Sequence, residues 1–272
     1  PFDVTITRAK IELRVVKWEI KDNVGIININ SFAGNTGQAT EAALTAIDKA
    51  TGGHPTGYII DLRSNPGGLL NEAIRVSDAF LDHGEIVSER GREKSQFESW
   101  SAKPGDMAHG LPIIVLVDVG SASAAEIVAG ALQDHRRAIV MGERSFGKGS
   151  VQGVQELSPT RALRLTIARY YTPSGRSVQA GGIDPDIVVP QLSDPDYKDR
   201  PAIREADLRR HLISQMGVKD EVLEKDAIPD PRFSATAEEL KKKGIKDFQL
   251  DYAIRTLKRL APAAPSAPAK AR

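Results

Sequence analysis

The 272-residue chain predicts an α/β fold, with parallel strands joined by helices, then a β ribbon and a C-terminal helical region. Three observations predict it. GYIIDLR (residues 57–63) and IIVLVDV (residues 113–119) are apolar runs of strand length, as strands buried on both faces read. Each such run ends at a Ser- or Gly-containing turn and leads into helical periodicity, the order a parallel crossover needs. After Lys148 the period changes to two, in VQGVQEL and ALRLTIARYYT, which predicts a β ribbon.

The elements follow in order. Residues 4–20 alternate through Val4, Ile6, Ile11, Leu13 and Val15, as half-buried strands do. VGIININSF (residues 24–32) is a strand, and after a polar turn a helix spans residues 40–49. The buried strand at residues 57–63 breaks at SNPGG, ahead of the helix-like LLNEAIRVSDAFL. IVSER is a short strand, followed by a polar segment. The second buried strand ends at Gly120 before the helix ASAAEIVAGALQDH, and RAIVMGE gives a third. From Pro190 the chain is polar, then helical: READLRRHLISQMG reads as one amphipathic helix after Pro201. Thr236 and Glu239 form a capping box at the head of TAEELKKKG, which Gly244 ends. DFQLDYAIRTLKRL sets Leu250, Ala253, Ile254 and Leu257 on one face. The final APAAPSAPAKAR is Pro- and Ala-rich and predicts disorder. The apolar faces between residues 202 and 260 show no evident partner in the core. Self-association through them is expected, with packing on their own domain as the alternative.

Charges nearly cancel, at +1, so no electrostatic argument favours nucleic acid or an anionic membrane. With no cysteine, disulfides, thiolate catalysis and Cys-type zinc sites are excluded. No apolar run approaches the roughly 20 residues that span a bilayer. The opening alternates like a strand and lacks the continuous apolar centre of a signal peptide. It has no initiator methionine and begins mid-pattern, as a fragment or a mature form would.

GERSFGKGS (residues 142–150) begins like a phosphate-binding loop, but Gly149 stands where Ser or Thr is needed. A ribbon also follows where that loop requires a helix. Ser123, in VGSASAAEIVAG, sits where a buried strand turns into a helix. Unpaired N–H groups at a helix start stabilise a developing negative charge. Gly120, Ala122, Ala124 and Ala125 leave room for a carbonyl to approach. The elbow G-x-S-x-G is not matched, because Ala125 replaces its second glycine. The competing reading is a plain N-cap, a role Ser121 fits better than Ser123. A serine nucleophile needs a base. His54, His83, His109, His135 and His211 read as surface residues. Lys148 is the alternative base: desolvation can leave an amine neutral, and Gly147 and Gly149 permit a tight backbone that buries it. A solvated turn is the other reading of a lysine between glycines.

Four stretches carry a family resemblance: DLRSNPGG, GSASAAEIVAGALQD, GERSFGKGSVQ and ARYYTPSGRSVQAGGIDPDI. In this order they resemble the C-terminal processing (tail-specific) serine proteases, from the start of the chain to about residue 190. The resemblance implies a ClpP/crotonase-like protease core with a Ser–Lys dyad, the nucleophile on Ser123 and the general base on Lys148. It puts the glutamine that orients the lysine on Gln152, which shares a face with Lys148 if the ribbon is strand-like there. It puts the oxyanion donors on the backbone N–H groups of Ala124 and Gly68. Glu126 takes a supporting role, as a hydrogen-bonding group near the site or as a solvated first-turn carboxylate.

The implied chemistry is acyl transfer on protein or peptide substrates with unstructured C-termini, without metal, nucleotide or other cofactor. An adaptor protein, homo-oligomers and a bacterial periplasmic or envelope-membrane location also follow from the resemblance and the helical faces. The family carries a PDZ domain ahead of its core, and the opening of this chain resembles only that domain's last strands. The expected organisation is a PDZ remnant and connecting strand at 1–16, the protease core at 17–191, a helical region at 192–260 and a disordered tail at 261–272. A non-catalytic ligand-binding module and a crotonase-type acyl-CoA enzyme are the alternatives on such a fold. In the second, the two amides hold a thioester enolate and Ser123 and Lys148 have no role.

Overall fold

The computed structural model of the chain describes residues 2–5, 7–8, 14–200, 203–208, 212 and 230–261. Two sheets organise them. The first runs β1 (Val16–Lys21), β2 (Val24–Ile29), β3 (Gly57–Asp61), β6 (Ile113–Val117), β7 (Ile139–Gly142) and β10 (Ile187–Val188) in spatial order. β1 pairs antiparallel with β2 through Asp22 and Asn23, both at positive φ as a two-residue hairpin turn requires. All its other pairings are parallel. The helices α1 (Thr36–Ala50), α2 (Leu70–Asp78) and α3 (Ala124–Asp134) leave the ends of β2, β3 and β6. The second sheet is antiparallel, in the order β5 (Phe97–Ser101), β4 (Glu85–Gly91), β9 (Arg161–Tyr171), β8 (Ser150–Ser158).

The central strands read as unbroken apolar runs because both of their faces are covered. On one side Ile27, Ile60, Val115 and Val117 pack with Leu44 of α1, Val76 of α2 and Val128 of α3. On the other, Val24, Ile26, Ile59, Ile114 and Leu116 meet Leu240 of α4 (Ala237–Lys242) and Phe248, Ala253, Ile254 and Leu257 of α5 (Phe248–Leu260). The expectation that the C-terminal faces lack a partner in the core is therefore corrected for α4 and α5. A parallel sheet needs a layer on each side, and α1, α2 and α3 supply only one of the two. The alternative, packing on their own domain, is what these helices do.

Boundaries differ in small ways. α1 starts at Thr36, whose hydroxyl accepts from Ala33 N at 2.9 Å and organises the preceding turn. The short strands β5 and β10 were not expected. The capping box at Thr236 and Glu239 is present, with both reciprocal bonds made. Residues 2–5, 7–8 and 14–15 are not strand, and the rest of the opening alternation before β1 lies outside the described residues. So do the tail at 262–272 and most of the helix expected over 204–217, where a 3-10 turn at Glu205–Asp207 is described. Among the described residues, no helix is long and apolar enough to cross a membrane.

Candidate active site

Ser123 occupies the N-cap of α3 at φ 53° and ψ −113°, a backbone conformation that costs a residue with a Cβ about 1–2 kcal/mol. Ser123 and Glu126 take the two places of a capping box, but no side-chain cap hydrogen bond is made by the Ser123 hydroxyl. The capping runs the other way, with Glu126 Oε2 accepting from Ser123 N at 2.7 Å. Ser121, expected as the cap, instead stitches the turn: its Oγ donates to Leu62 O at 2.8 Å and accepts from Asp118 N at 3.0 Å. The helix begins two residues later than that reading assumed, at Ala124. The N–H of Ala124, first in the helix, has no acceptor among the described residues.

The turn after β3 lies against this helix start. Asn65 is fully buried; its Nδ2 donates to Ile29 O at 2.7 Å and its Oδ1 accepts from Gly67 N at 2.9 Å. The Asn65 carbonyl accepts from Ala122 N at 2.9 Å, next to the nucleophile. Asp118 adds a second tie, accepting from Ser64 N at 2.7 Å and Gly120 N at 2.9 Å. Two glycines are required here. A Cβ on Gly68 (φ 146°) would stand 2.2 Å from Phe32 O, and one on Gly67 (φ 96°) would stand 2.9 Å from both Ala124 N and Ser123 Cβ. Gly67 N is occupied by Asn65, whereas Gly68 N has no acceptor among the described residues. Two open amides, on Gly68 and Ala124, thus belong to turns that meet beside Ser123. Gly67→Ala would push a methyl group between them. A fall of about 10²–10³-fold in kcat/KM on an unstructured protein is expected, comparable to losing one oxyanion donor.

Glu126 joins the nucleophile to the lysine. It is fully buried, and its Oε1 accepts from Ser145 Oγ at 2.5 Å and Gly147 N at 2.7 Å. Its Oε2 accepts from Ser123 N at 2.7 Å and Lys148 N at 2.9 Å. Because one oxygen holds both backbone nitrogens, the start of α3 and the lysine turn cannot separate without breaking this carboxylate's bonds. Burial pushes its carboxyl up to about 7, against the pull of the bonds from Ser145, Gly147, Ser123 and Lys148. The solvated first-turn reading of Glu126 does not hold. The far side of the lysine turn is fixed by Ile183 N on Ser145 Oγ at 2.7 Å and by Gly149 N on the buried Gln179 Oε1 at 3.1 Å. The strand β8 follows, not a helix, so the turn is no phosphate loop.

Lys148 is half-buried, and its ammonium makes no hydrogen bond or ion pair among the described residues, with Ser123 Oγ or any other group. Gln152 is exposed and does not bond to it. The shared face expected for Lys148 and Gln152 is not supported. β8 begins only at Ser150, and a register shift between Val151 and Gln152 breaks the alternation that would relate them. His54, His83 and His109 are exposed, and His135 is half-buried with Nε2 2.6 Å from Glu85 O. None hydrogen-bonds to Ser123, and His211 lies outside the described residues. Sequence reasoning missed Asn65, Asp118, Ser145 and Gln179. Asn65 and Asp118 left a signal, as an Asn and an Asp two residues before a glycine whose N–H the side chain accepts.

Residues 23–189 match the family model "Peptidase family S41". The carboxy-terminal-processing protease of Bartonella bacilliformis is 49% identical over 217 residues, which is 78% of this chain and 49% of that protein. The carboxyl-terminal-processing protease of Synechocystis sp. is 40% identical over 196 residues, 70% of this chain and 45% of that one. A solved structure, a photosystem II D1 C-terminal processing protease, superposes with a TM-score of 0.59 at 31% identity, covering 67% of this chain and 50% of that chain. The chain spans about half the length of the curated relatives it matches. The family-model match includes Gly68, Ser123, Ala124, Glu126, Lys148 and Gln152, and stops short of α4 and α5. On these matches, the chain belongs to peptidase family S41.

Proposed function

We propose that this chain is the catalytic core of a serine endopeptidase that cuts proteins near unstructured C-termini through a Ser123–Lys148 dyad and an acyl-enzyme. The observation that carries the reading is the Ser123 hydroxyl, with no side-chain cap bond at a strained N-cap, and the amides of Gly68 and Ala124 on the turns beside it, without acceptors among the described residues. The same buried carboxylate that holds Ser123 N holds Lys148 N.

In the reaction the Lys148 amine accepts the Ser123 proton as Oγ attacks the peptide carbonyl. The oxyanion forms against Ala124 N–H and Gly68 N–H, each worth about 3 kcal/mol of barrier. The lysine ammonium then protonates the leaving amine, and water releases the acyl group. The bond between Oγ and Nζ is not made at rest and forms with substrate present, as catalytic hydrogen bonds often do. Gln152 would orient the amine in that state. An extended substrate can add to β8, which is an edge strand among the described residues and starts two residues beyond Lys148.

The core in this reading is residues 17–191 together with α4 and α5, which cover its sheet. A PDZ domain ahead of it, an adaptor protein and a place in the bacterial periplasm or on the envelope membrane enter through family likeness alone. No oligomer contact is placed on the apolar face of α5, because that face is buried against its own sheet.

Labelling with a serine-directed fluorophosphonate tests the dyad. Wild type is expected to label, Ser123→Ala to lose the label and Lys148→Ala to be labelled far more slowly. Label that survives both substitutions overturns the assignment. Cleavage of an unstructured protein by the wild type, absent in both variants, then fixes the substrate class.

A further inference from the structure

We propose that Asp247, the N-cap residue of α5, is a positioning residue for the oxyanion turn and acts through Arg63; the inference rests on the peptidase reading above. Arg63 stands at the root of the turn that ends in Gly68. Its guanidinium is bound on two sides. Nε and one terminal nitrogen donate to the Asp61 carboxylate at 2.9 and 2.7 Å. The terminal nitrogens also donate to Asp247 at 3.0 and 2.7 Å, and one of them to Gln249 Oε1 at 3.0 Å. Asp247 accepts Gln191 Nε2 at 2.9 Å and caps Leu250 N at 3.1 Å, so its own position is fixed.

Stability alone does not account for this arrangement. α5 is already seated by Phe248, Ala253, Ile254 and Leu257 on the sheet. A partly exposed ion pair contributes little net stability, whereas a planar fork between two carboxylates fixes direction. What needs fixing is next in the chain. Ser64 sits at φ 55°, a conformation that persists only where its neighbours over-determine it. Asp118 holds Ser64 itself, through N at 2.7 Å and Oγ at 3.1 Å, and Asn65 holds the turn beyond it; upstream the side-chain anchor is the Arg63 fork. With half the fork removed, Arg63 can shift and pull on the Ser64–Asp118 tie, and the displacement passes along residues 64–68 to the Gly68 amide. A shift of about 1 Å there is enough to slow acylation substantially.

Asp247→Asn tests this. It keeps a capping oxygen for Leu250 N but cannot accept from Arg63 with two oxygens. Arg63→Lys, which keeps the charge and loses the fork, is the second variant should the first fail to fold. Leu257→Val, which loosens α5 without touching the fork, controls for stability. The readouts are the rate of Ser123 labelling by fluorophosphonate and the separate values of kcat and KM. Labelling and kcat are expected to fall about 10- to 100-fold in the fork variants, with KM within about twofold and Leu257→Val near wild type. Labelling that requires Ser123 yet runs at the wild-type rate in the folded fork variants overturns the inference and leaves the dyad standing. Labelling that survives Ser123→Ala overturns both.

Discussion

Glu126→Ala is expected to abolish hydrolysis and to lower folding stability by at least about 4 kcal/mol. The substitution leaves Ser123 N, Gly147 N, Lys148 N and Ser145 Oγ without their acceptor. An unsatisfied buried donor costs about 1–3 kcal/mol. Activity is lost for a separate reason. The N-cap of α3 and the lysine turn are released from their common oxygen, and the dyad must then find its geometry by chance. Glu126→Gln keeps the shape but turns one accepting oxygen into a donor facing two donors, so it too should be slow while remaining folded.

The same carboxyl gives a pH signature. Burial holds it at about 7 in the folded chain against an ordinary 4.5, so the folded state binds this proton more tightly than the unfolded state does. The stability it contributes is fully present below about pH 4.5 and is lost as pH rises through about 7. The loss amounts to about 3 kcal/mol at about 1.4 kcal/mol per unit. Glu143, raised to about 6 by burial and by Asp118, acts in the same direction but is mostly finished by pH 6. Urea unfolding at pH 6 and pH 7.5 therefore isolates Glu126. Wild type should lose stability across that window more steeply than Glu126→Gln. Equal slopes overturn the assignment of a proton to this site.

Why Glu126 was only half-read from the sequence has a physical answer. A glutamate in the first turn of a helix has the same local pattern whether it meets water or a buried nest of amides. The decision is made by the lysine turn, about twenty residues away, folding over it. Strands β3 and β6 were legible because burial on both faces writes itself into consecutive apolar residues. Small residues marked tight backbone around Ser123, Lys148 and the SNPGG turn, but they left a plain N-cap and a solvated turn open, and the family resemblance supplied the roles. The shared face argued for Lys148 and Gln152 does not carry over, because alternation is a rule for regular strands and a register shift intervenes. The stitches made by Asn65 and Asp118 join loops from different strands, and no local spacing encodes them. The partner of α5 was deducible in principle, since two-sided strands demand a second layer that the helices between them do not provide.

A chain ended after Gln191 is expected not to fold, and to appear in size-exclusion chromatography with light scattering as aggregate. The deletion uncovers Val24, Ile26, Ile59, Ile114, Leu116 and Met141, all buried. The fit is close at Gly57, which opens β3: a Cβ there would come 2.4 Å from Pro112 O and 2.8 Å from Leu257 Cδ2. Burying a large aliphatic or aromatic side chain contributes about 1.5–3 kcal/mol, so losing Leu240, Phe248, Ile254 and Leu257 together removes most of a typical margin of about 5–15 kcal/mol. Leu257→Ala gives the graded version, a loss of about 2–5 kcal/mol with the fold retained. The alternative, in which these helices serve assembly, makes the opposite forecast. There the full chain is larger than a monomer, and the shortened one is a folded monomer with cooperative unfolding. That outcome would mean the sheet tolerates an open apolar face, against the rule that buries both sides of parallel strands.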